Sequence, residues 1–146
     1  MFSLGIECEL SPESIIDLLK FFSQSDYDIH ISHCMMIEDG QGLLPLTFTD
    51  GQITVNQLID TKVPAVWELV FHVYPYQSGK RPILTYEDFV FSNCVCCIVY
   101  YDCASMDIYI KDSILHERIT DKLIQLDAKN LVMIDSQDRC RKIMLP

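Results

Sequence analysis

The sequence predicts an α+β fold: a single mixed, largely antiparallel sheet of about six to seven strands, with two main helices and short extra helices. An uninterrupted apolar run at 94–101 has the length of a strand and is rich in β-branched and aromatic residues. Two other stretches, 15–22 and 115–126, place their apolar residues at helical spacing. Because the chain has 146 residues, 49% of them hydrophobic, we expect a single domain over 1–146 with one core.

The chain begins with a predicted strand and helix. Apolar residues occupy every second position of Phe2–Leu10, which predicts a half-buried strand with Glu7 and Glu9 facing outward. Ser11 and Pro12 follow. Serine caps helices and proline suits the first helical position, so a helix is predicted to begin here. It is expected to end near Gln24–Asp26, where the apolar pattern stops.

Two more strands and a short helix are predicted before the middle of the chain. Ile29–Cys34 has the composition of a strand, whereas 36–48 contains glycines and a proline and is expected to be a loop. The residues from Thr54 to about Asp60 begin with capping-box spacing, which predicts a short helix. The stretch Trp67–Val73 is predicted as a third strand. Its odd-numbered residues are all apolar, and they alternate with Glu68, Val70 and His72.

A central hairpin is predicted in the second half of the chain. Pro75–Pro82 contains two prolines and a glycine and is expected to be an exposed connection, and Thr85–Phe91 a short capped helix. The hairpin follows, with a strand at 94–101 buried on both faces. Its second strand, at 106–110, alternates apolar residues with Asp107 and Tyr109, which predicts one face in contact with water.

The C-terminal region is predicted to contain a helix and a second hairpin. Asp112 or Ser113 can cap the helix, and Lys129-Asn130 suits its end. Leu131–Ile134 and Ile143–Leu145 are predicted as two short strands joined by a polar turn.

A set of short motifs lies between Trp67 and the C-terminus: Tyr74-Pro75, Thr85-Tyr86-Glu87-Asp88-Phe89, Ser92-Asn93-Cys94, Asp102, Ile108-Tyr109-Ile110-Lys111-Asp112 and Asp138-Arg139. In these motifs the sequence resembles DUF2691, a family of bacterial proteins of unknown function found mainly in Bacillus and its relatives. The resemblance is weaker before Trp67. It implies no activity, cofactor or site residue, because the family has none to transfer.

The formal net charge of −10 is concentrated in the first half of the chain. Residues 1–73 contain 11 acidic and 2 basic residues, a net charge of −9, whereas residues 74–146 contain 10 acidic and 9 basic residues, a net charge of −1. An acidic half repels phosphates, so no nucleic-acid partner is predicted. It favours a basic protein partner, although acidic residues also keep domains soluble.

The cysteines and the N-terminus predict a cytoplasmic protein. Three of the seven cysteines lie in the apolar run, at Cys94, Cys96 and Cys97, where cysteine acts as a small buried hydrophobe. Free thiols in a reducing compartment are therefore expected rather than a disulfide framework. The N-terminus lacks the basic region of a signal peptide. No stretch approaches the roughly 18 to 20 apolar residues that span a membrane.

One alternative function is a metal-binding protein or an enzyme that uses His30, Cys34 and the Cys94–Cys97 strand. His30 and Cys34 share one face of their predicted strand, and Cys94 and Cys96 share one face of theirs. A shared metal site would require these two strands to be neighbours. His33 and Cys97, however, point to the opposite faces of their predicted strands. The candidate ligands are therefore divided between faces, and no metal or other cofactor is predicted.

Five residues are predicted to bind a partner: Glu7, Glu9, His30, Arg139 and Arg141. The two glutamates share the outer face of the first strand, His30 lies on the next strand, and the arginines belong to a basic C-terminal cluster. No catalytic residues are predicted, because the sequence has neither a phosphate-binding glycine loop nor a Gly-x-Ser-x-Gly elbow. The first hypothesis is a non-enzymatic protein-interaction domain, such as an immunity protein, whose acidic half binds a basic partner.

Overall fold

The computed structural model describes residues 4–37, 46–60, 65–134 and 144–146, and these form one seven-stranded sheet with four helices. The α+β fold is confirmed. In chain order the elements are β1 (Leu4–Glu9), α1 (Pro12–Ser23), β2 (Tyr27–Ile37), β3 (Leu46–Thr49), α2 (Val55–Asp60), β4 (Ala65–Pro75), α3 (Tyr86–Phe91), β5 (Cys96–Tyr101), β6 (Ser105–Ile110), α4 (Ser113–Gln125) and β7 (Lys129–Ile134). Within these ranges, no helix combines the length and the hydrophobicity needed to cross a bilayer.

The strands lie in the order β3-β2-β4-β5-β6-β1-β7, and every pair of neighbours is antiparallel. β5 occupies the centre of the sheet, and its residues from Cys96 to Tyr100 are buried. The predicted central strand, buried on both faces, is therefore confirmed, although it begins at Cys96 rather than Cys94.

The first face of the sheet is covered by α1, α2 and α4. An apolar row crosses five strands on this face: Ile6, Ile108, Ile98, Phe71 and Ile31. The predicted stripes on the two long helices are confirmed. α1 buries Ile15, Leu18, Leu19 and Phe22, and α4 buries Leu115, Ile119 and Leu123. All of these side chains belong to one apolar core.

The second face is covered by α3 and by parts of the chain without regular structure. Its core includes Val70, Val99 and Tyr109 from the sheet, Phe89 from α3 and Ile83 from the segment before that helix. One row across this face contains Gly5, Tyr109, Cys97, His72 and His30. This row places two histidines side by side where the cover from α3 ends.

Local capping signals correctly predict where three helices begin. The Ser11 hydroxyl accepts a hydrogen bond from the Ser14 amide (3.2 Å). At α3, Thr85 and Asp88 form a reciprocal capping box, with N···O distances of 3.1 Å in both directions. Thr54 makes the same exchange with Gln57 before α2. Each box satisfies amides that the first helical turn leaves without a partner.

The prediction of a water-exposed face on β6 is wrong. Asp107 is 8% exposed and Tyr109 is 1% exposed. The rings of Tyr86 and Phe89 pack against Tyr109, with centroid distances of 5.7 Å and 6.4 Å. α3 therefore covers the side of β6 that the alternation assigns to water.

Three predicted boundaries also need correction. β2 extends beyond the predicted strand at both ends. The predicted loop at 36–48 contains the end of β2 and most of β3, with residues 38–45 outside the described part. α4 ends at Gln125 rather than near Lys129-Asn130, because those two residues begin β7. Residues 144–146 have no regular secondary structure, and the rest of the predicted second hairpin, 135–143, lies outside the described residues.

Candidate functional site

A cavity of about 280 Å³ lies on the second face, over β2 and β4. We call it the histidine pocket. Its polar lining consists of His30, Ser32, Asp50, His72, Lys80 and Arg81, and its apolar wall of Pro82–Leu84 and Leu145. The pocket therefore combines imidazole, hydroxyl, carboxylate and cationic groups around a small volume.

The floor of the pocket is formed by His30 and His72. These residues are direct partners in the antiparallel β2–β4 pairing, so both side chains project from the same face of the sheet. Their ring centroids are 6.2 Å apart, and the rings are tilted by 34°. The register of two strands thus places two titratable rings beside each other.

His72 is the most unusual group in the pocket. The residue is only 2% exposed, and neither ring nitrogen has a hydrogen-bond partner among the described residues. The pKa of His72 is lowered from 6.5 to about 4, mainly by burial and also by the neighbouring His30, whereas Asp50 opposes the shift. The ring is therefore neutral near pH 7, with one N–H donor and one nitrogen acceptor. A buried polar group without a partner costs about 1–3 kcal/mol.

Asp50 reaches the pocket through the turn that follows β3. Gly51 adopts a φ of +73°, a conformation that favours glycine, and its amide donates to the Ile31 carbonyl (3.2 Å). The Asp50 carboxylate contacts Nε2 of His30. This hydrogen bond fixes the orientation of the His30 ring, and it leaves His72 as the ring without a partner.

The rim of the pocket is a short strap, residues 80–84, that crosses the second face before α3. The Tyr74 hydroxyl donates to the Arg81 carbonyl (3.1 Å), and the Leu84 amide donates to the Asp88 carboxylate (3.0 Å). Ile83 anchors the strap in the core, with 3% of its surface exposed. These contacts hold the exposed Lys80 and Arg81 at the pocket.

Of the five predicted binding residues, the structure places His30 in the pocket. Glu7 and Glu9 lie on β1, which three intervening strands separate from β2 in the sheet, so they are not brought together with His30. Both line a separate shallow cavity together with Asp107. Arg139 and Arg141 lie outside the described residues.

The residues of the metal or enzyme alternative do not converge. β4 lies between β2 and β5, so the strands that carry Cys34 and Cys96 are not neighbours, as a shared site would require. Burial raises the pKa of the Cys34 and Cys94 thiols to about 12 and raises that of Cys96 well above 9. In the part of the chain that the structure describes, no three His, Cys, Asp or Glu side chains are grouped to hold a metal ion.

Sequence reasoning missed His72, Asp50, Lys80 and Arg81 as site residues. His72 occupies an ordinary polar position in an alternating strand, and Lys80-Arg81 is a common kind of pair in an exposed connection. The usable signal was the presence of single histidines at alternating positions of two predicted strands. The pairing of those strands was needed to bring the histidines together.

A family model described as "Protein of unknown function (DUF2691)" matches residues 5–145. The match thus extends through the N-terminal half, where the motifs of the sequence are weaker. No curated protein and no solved structure matches the chain.

Proposed function

The chain belongs to the DUF2691 family, and we propose that it is a non-enzymatic protein that binds a small molecule in the histidine pocket. The observation that carries this proposal is His72, a ring that is 2% exposed, lines the cavity and has no partner for either nitrogen among the described residues. Buried polar groups in native proteins are nearly always hydrogen-bonded. A ligand that exchanges hydrogen bonds with this ring recovers the free energy that its burial costs.

The size of the cavity indicates the size of the ligand. At about 280 Å³, the pocket lies near the lower end of the range of small-molecule sites, roughly 300–1,000 Å³. It suits a small metabolite better than a dinucleotide or a peptide.

The hydroxyl group of the pocket supports binding rather than covalent chemistry. Ser32 Oγ donates to the Val70 carbonyl (3.4 Å), so its proton is bound to a backbone carbonyl rather than to an imidazole. An activated serine nucleophile would instead be hydrogen-bonded to a base such as His30. The pocket is therefore described best by groups that recognise and orient a ligand.

The proposal is tested by NMR of protein labelled with ¹⁵N-histidine, titrated with a panel of neutral, cationic and anionic fragments. We expect the bound fragments to shift the ring resonances of His72. In His72→Phe, binding is followed at the ring of His30, which also lines the pocket. This variant should lose the binding while the fold is retained, because phenylalanine fills the same space without polar atoms.

His33→Gln is the matched control for this test. His33 lies on the same strand as His30, but its ring is hydrogen-bonded to Glu68 (2.9 Å) and does not line the pocket. The control should bind fragments like the unmodified protein. Fragments that bind equally well to His72→Phe, or a panel that never shifts His72, would show that the proposed function is wrong.

A second candidate function is a protein interaction of the immunity type, in which the acidic N-terminal half binds a basic partner. Glu7, Glu9 and Asp107 line the same shallow cavity, so three acidic side chains lie on one surface. A basic partner has the charge that complements such a surface. Co-purification of a basic protein at low salt, with its loss at high salt and in Glu7→Gln/Glu9→Gln, would support this function; capture unaffected by both changes would contradict it.

Both candidate functions are proposed for the cytoplasm. The six described cysteines are free thiols, which suits a reducing compartment. Fractionation of cells that produce the protein from its own gene would test this location.

A further inference from the structure

The rim of the histidine pocket has a local charge opposite to that of the whole chain. The chain has a net charge of −10, yet the strap places two adjacent cations, Lys80 and Arg81, at the cavity. Neither forms a salt bridge with a carboxylate in the described ranges. The carboxylate that lines the pocket, Asp50, is engaged by His30. Within the described ranges, both cations line the cavity without a salt bridge, and Arg81 also borders a second cavity beside Glu87 and Asp88.

The backbone that carries these cations is held in place within the strap. The Tyr74 hydroxyl binds the Arg81 carbonyl directly, and the next apolar residue, Ile83, is buried in the core of the second face. The Met144 amide holds the end of the strap through the Leu84 carbonyl (2.9 Å). A cationic rim held in this way pays less conformational entropy when it binds an anion than a mobile loop would.

The floor of the pocket adds a directional donor. The neutral imidazole of His72 has one N–H, and no described acceptor binds it. His30 cannot offer Nε2 in the same way, because that nitrogen contacts Asp50. An oxygen in the cavity can thus accept from His72 below and from Lys80 or Arg81 at the rim.

We propose that the ligand of the histidine pocket is a small oxyanion, a carboxylate or a phosphate group, held between His72 at the floor and Lys80 and Arg81 at the rim. This inference rests on the proposed function and names the chemical class of its ligand. Guanidinium and ammonium groups bind carboxylate and phosphate oxygens through short, charge-assisted hydrogen bonds. Asp50 repels the anion from the side of the pocket next to β3 and so directs it toward the two cations.

The volume of the pocket restricts the ligand further. Since a water molecule takes up about 30 Å³ of liquid, a cavity of about 280 Å³ holds the equivalent of roughly nine waters. Inorganic phosphate or a short carboxylate fits entirely within this space. The volume therefore suits a small anionic group.

The test uses acetate, inorganic phosphate and the neutral amide acetamide as probes, at constant ionic strength, with the His72 ring resonances as readout. We expect saturable shifts with acetate, with phosphate or with both, and none with acetamide, which has the shape of acetate without its charge. Binding of acetate alone would assign carboxylates, and binding of phosphate alone would assign phosphate compounds.

Variants that remove the charges of Lys80 and Arg81 show whether the rim binds the anion. Lys80→Gln/Arg81→Gln should weaken anion binding by at least about tenfold, because it removes both charge-assisted donors. Lys20→Gln is the matched control, since Lys20 is also exposed but lies on α1, which covers the opposite face. It should leave the affinity unchanged.

The outcomes separate this inference from the proposed function. If neutral fragments shift His72 and neither anion does, the oxyanion inference is wrong and the pocket still binds a small molecule. If anions bind equally well to the double variant, the rim does not hold them and the inference is again wrong. If no probe or fragment shifts His72, both proposals fail.

Discussion

The two faces of the sheet are built from the same strands but differ in what covers them and in which residues they bury. On the first face, α1, α2 and α4 cover a continuous apolar core. On the second face, α3 and the strap cover a smaller core. The polar or charged residues that are buried in the described part, His72 and Asp107, both lie on this second face. The larger apolar core of the first face thus contributes most of the stability, whereas the second face accepts the cost of burying His72 where a ligand can bind.

Adjacent residues of β5 allow this comparison to be tested, because Ile98 faces the first core and Val99 the second. The largest effect is expected for Val99→Asp. It places a carboxylate at a fully buried site directly opposite Asp107 and should cost more than about 4 kcal/mol. Urea unfolding of the soluble fraction of this variant would measure the loss in the free energy of unfolding. Val99→Ala should remain folded, and a native-like Val99→Asp would place Val99 outside the core.

A smaller loss is expected for Ile98→Ala on the first face. Ile98 is fully buried in the centre of the apolar row, and truncation there should cost about 2–5 kcal/mol through lost burial and the cavity that remains. The midpoint of urea unfolding measures this change. His72→Phe is the comparison on the second face, because it removes a polar group without a partner and should cost less. If His72→Phe lost more free energy of unfolding than Ile98→Ala, the first face would not be the main source of stability.

The dependence of stability on pH should distinguish the second face from the first. The pKa of His72 is about 4 in the folded protein, below its ordinary value of 6.5, so the unfolded chain takes up this proton first as the pH falls. Stability should therefore decrease between pH 6.5 and about 4, by about 3 kcal/mol in total at 1.36 kcal/mol per pKa unit. His72→Phe should reduce this decrease, as measured by urea unfolding above pH 6.5 and near pH 4. An identical decrease in both proteins would exclude His72 as its source.

The smallest effect is expected for Glu7→Gln/Glu9→Gln. Glu9 is exposed and Glu7 half-buried, and solvated charges contribute little to folding, so the melting temperature should change by an amount equivalent to less than about 0.5 kcal/mol. The double variant should nevertheless slow association with a basic partner. A large fall in melting temperature would show that these side chains support the core rather than a partner surface.

The elements of the fold could be predicted where their signals are local. The capping boxes at Thr54 and Thr85 and the stripes on α1 and α4 depend on residues within one or two helical turns. The wet face predicted for β6 failed because the burial of Tyr109 depends on α3, which the chain forms earlier and packs across the sheet. Alternation reports which residues share a face, but it does not report what covers that face.

The candidate site was harder to predict, since its residues come from separate parts of the chain. His30 was identified from its own strand, but its neighbour His72 follows from the β2–β4 register. Asp50 reaches His30 because of the turn at Gly51. Lys80 reaches the pocket because it lies on the strap, whose path depends on the Tyr74 hydroxyl. None of these positions is determined by local propensity. The pocket is a product of tertiary pairing, which single-sequence patterns do not contain.

The position of β1 between β6 and β7 has a consequence for the order of folding. Leu4 pairs with Ile110, and the Tyr100 hydroxyl donates to the Leu10 carbonyl (2.9 Å), so the N-terminal strand must wait for partners made far later in synthesis. Closing so long a loop is entropically costly and slows folding. We expect β2, β4, β5 and β6 to assemble first as a meander, which leaves the apolar edge of β6 open to aggregation. In a growing chain, β1 is therefore the strand that ends this vulnerable period.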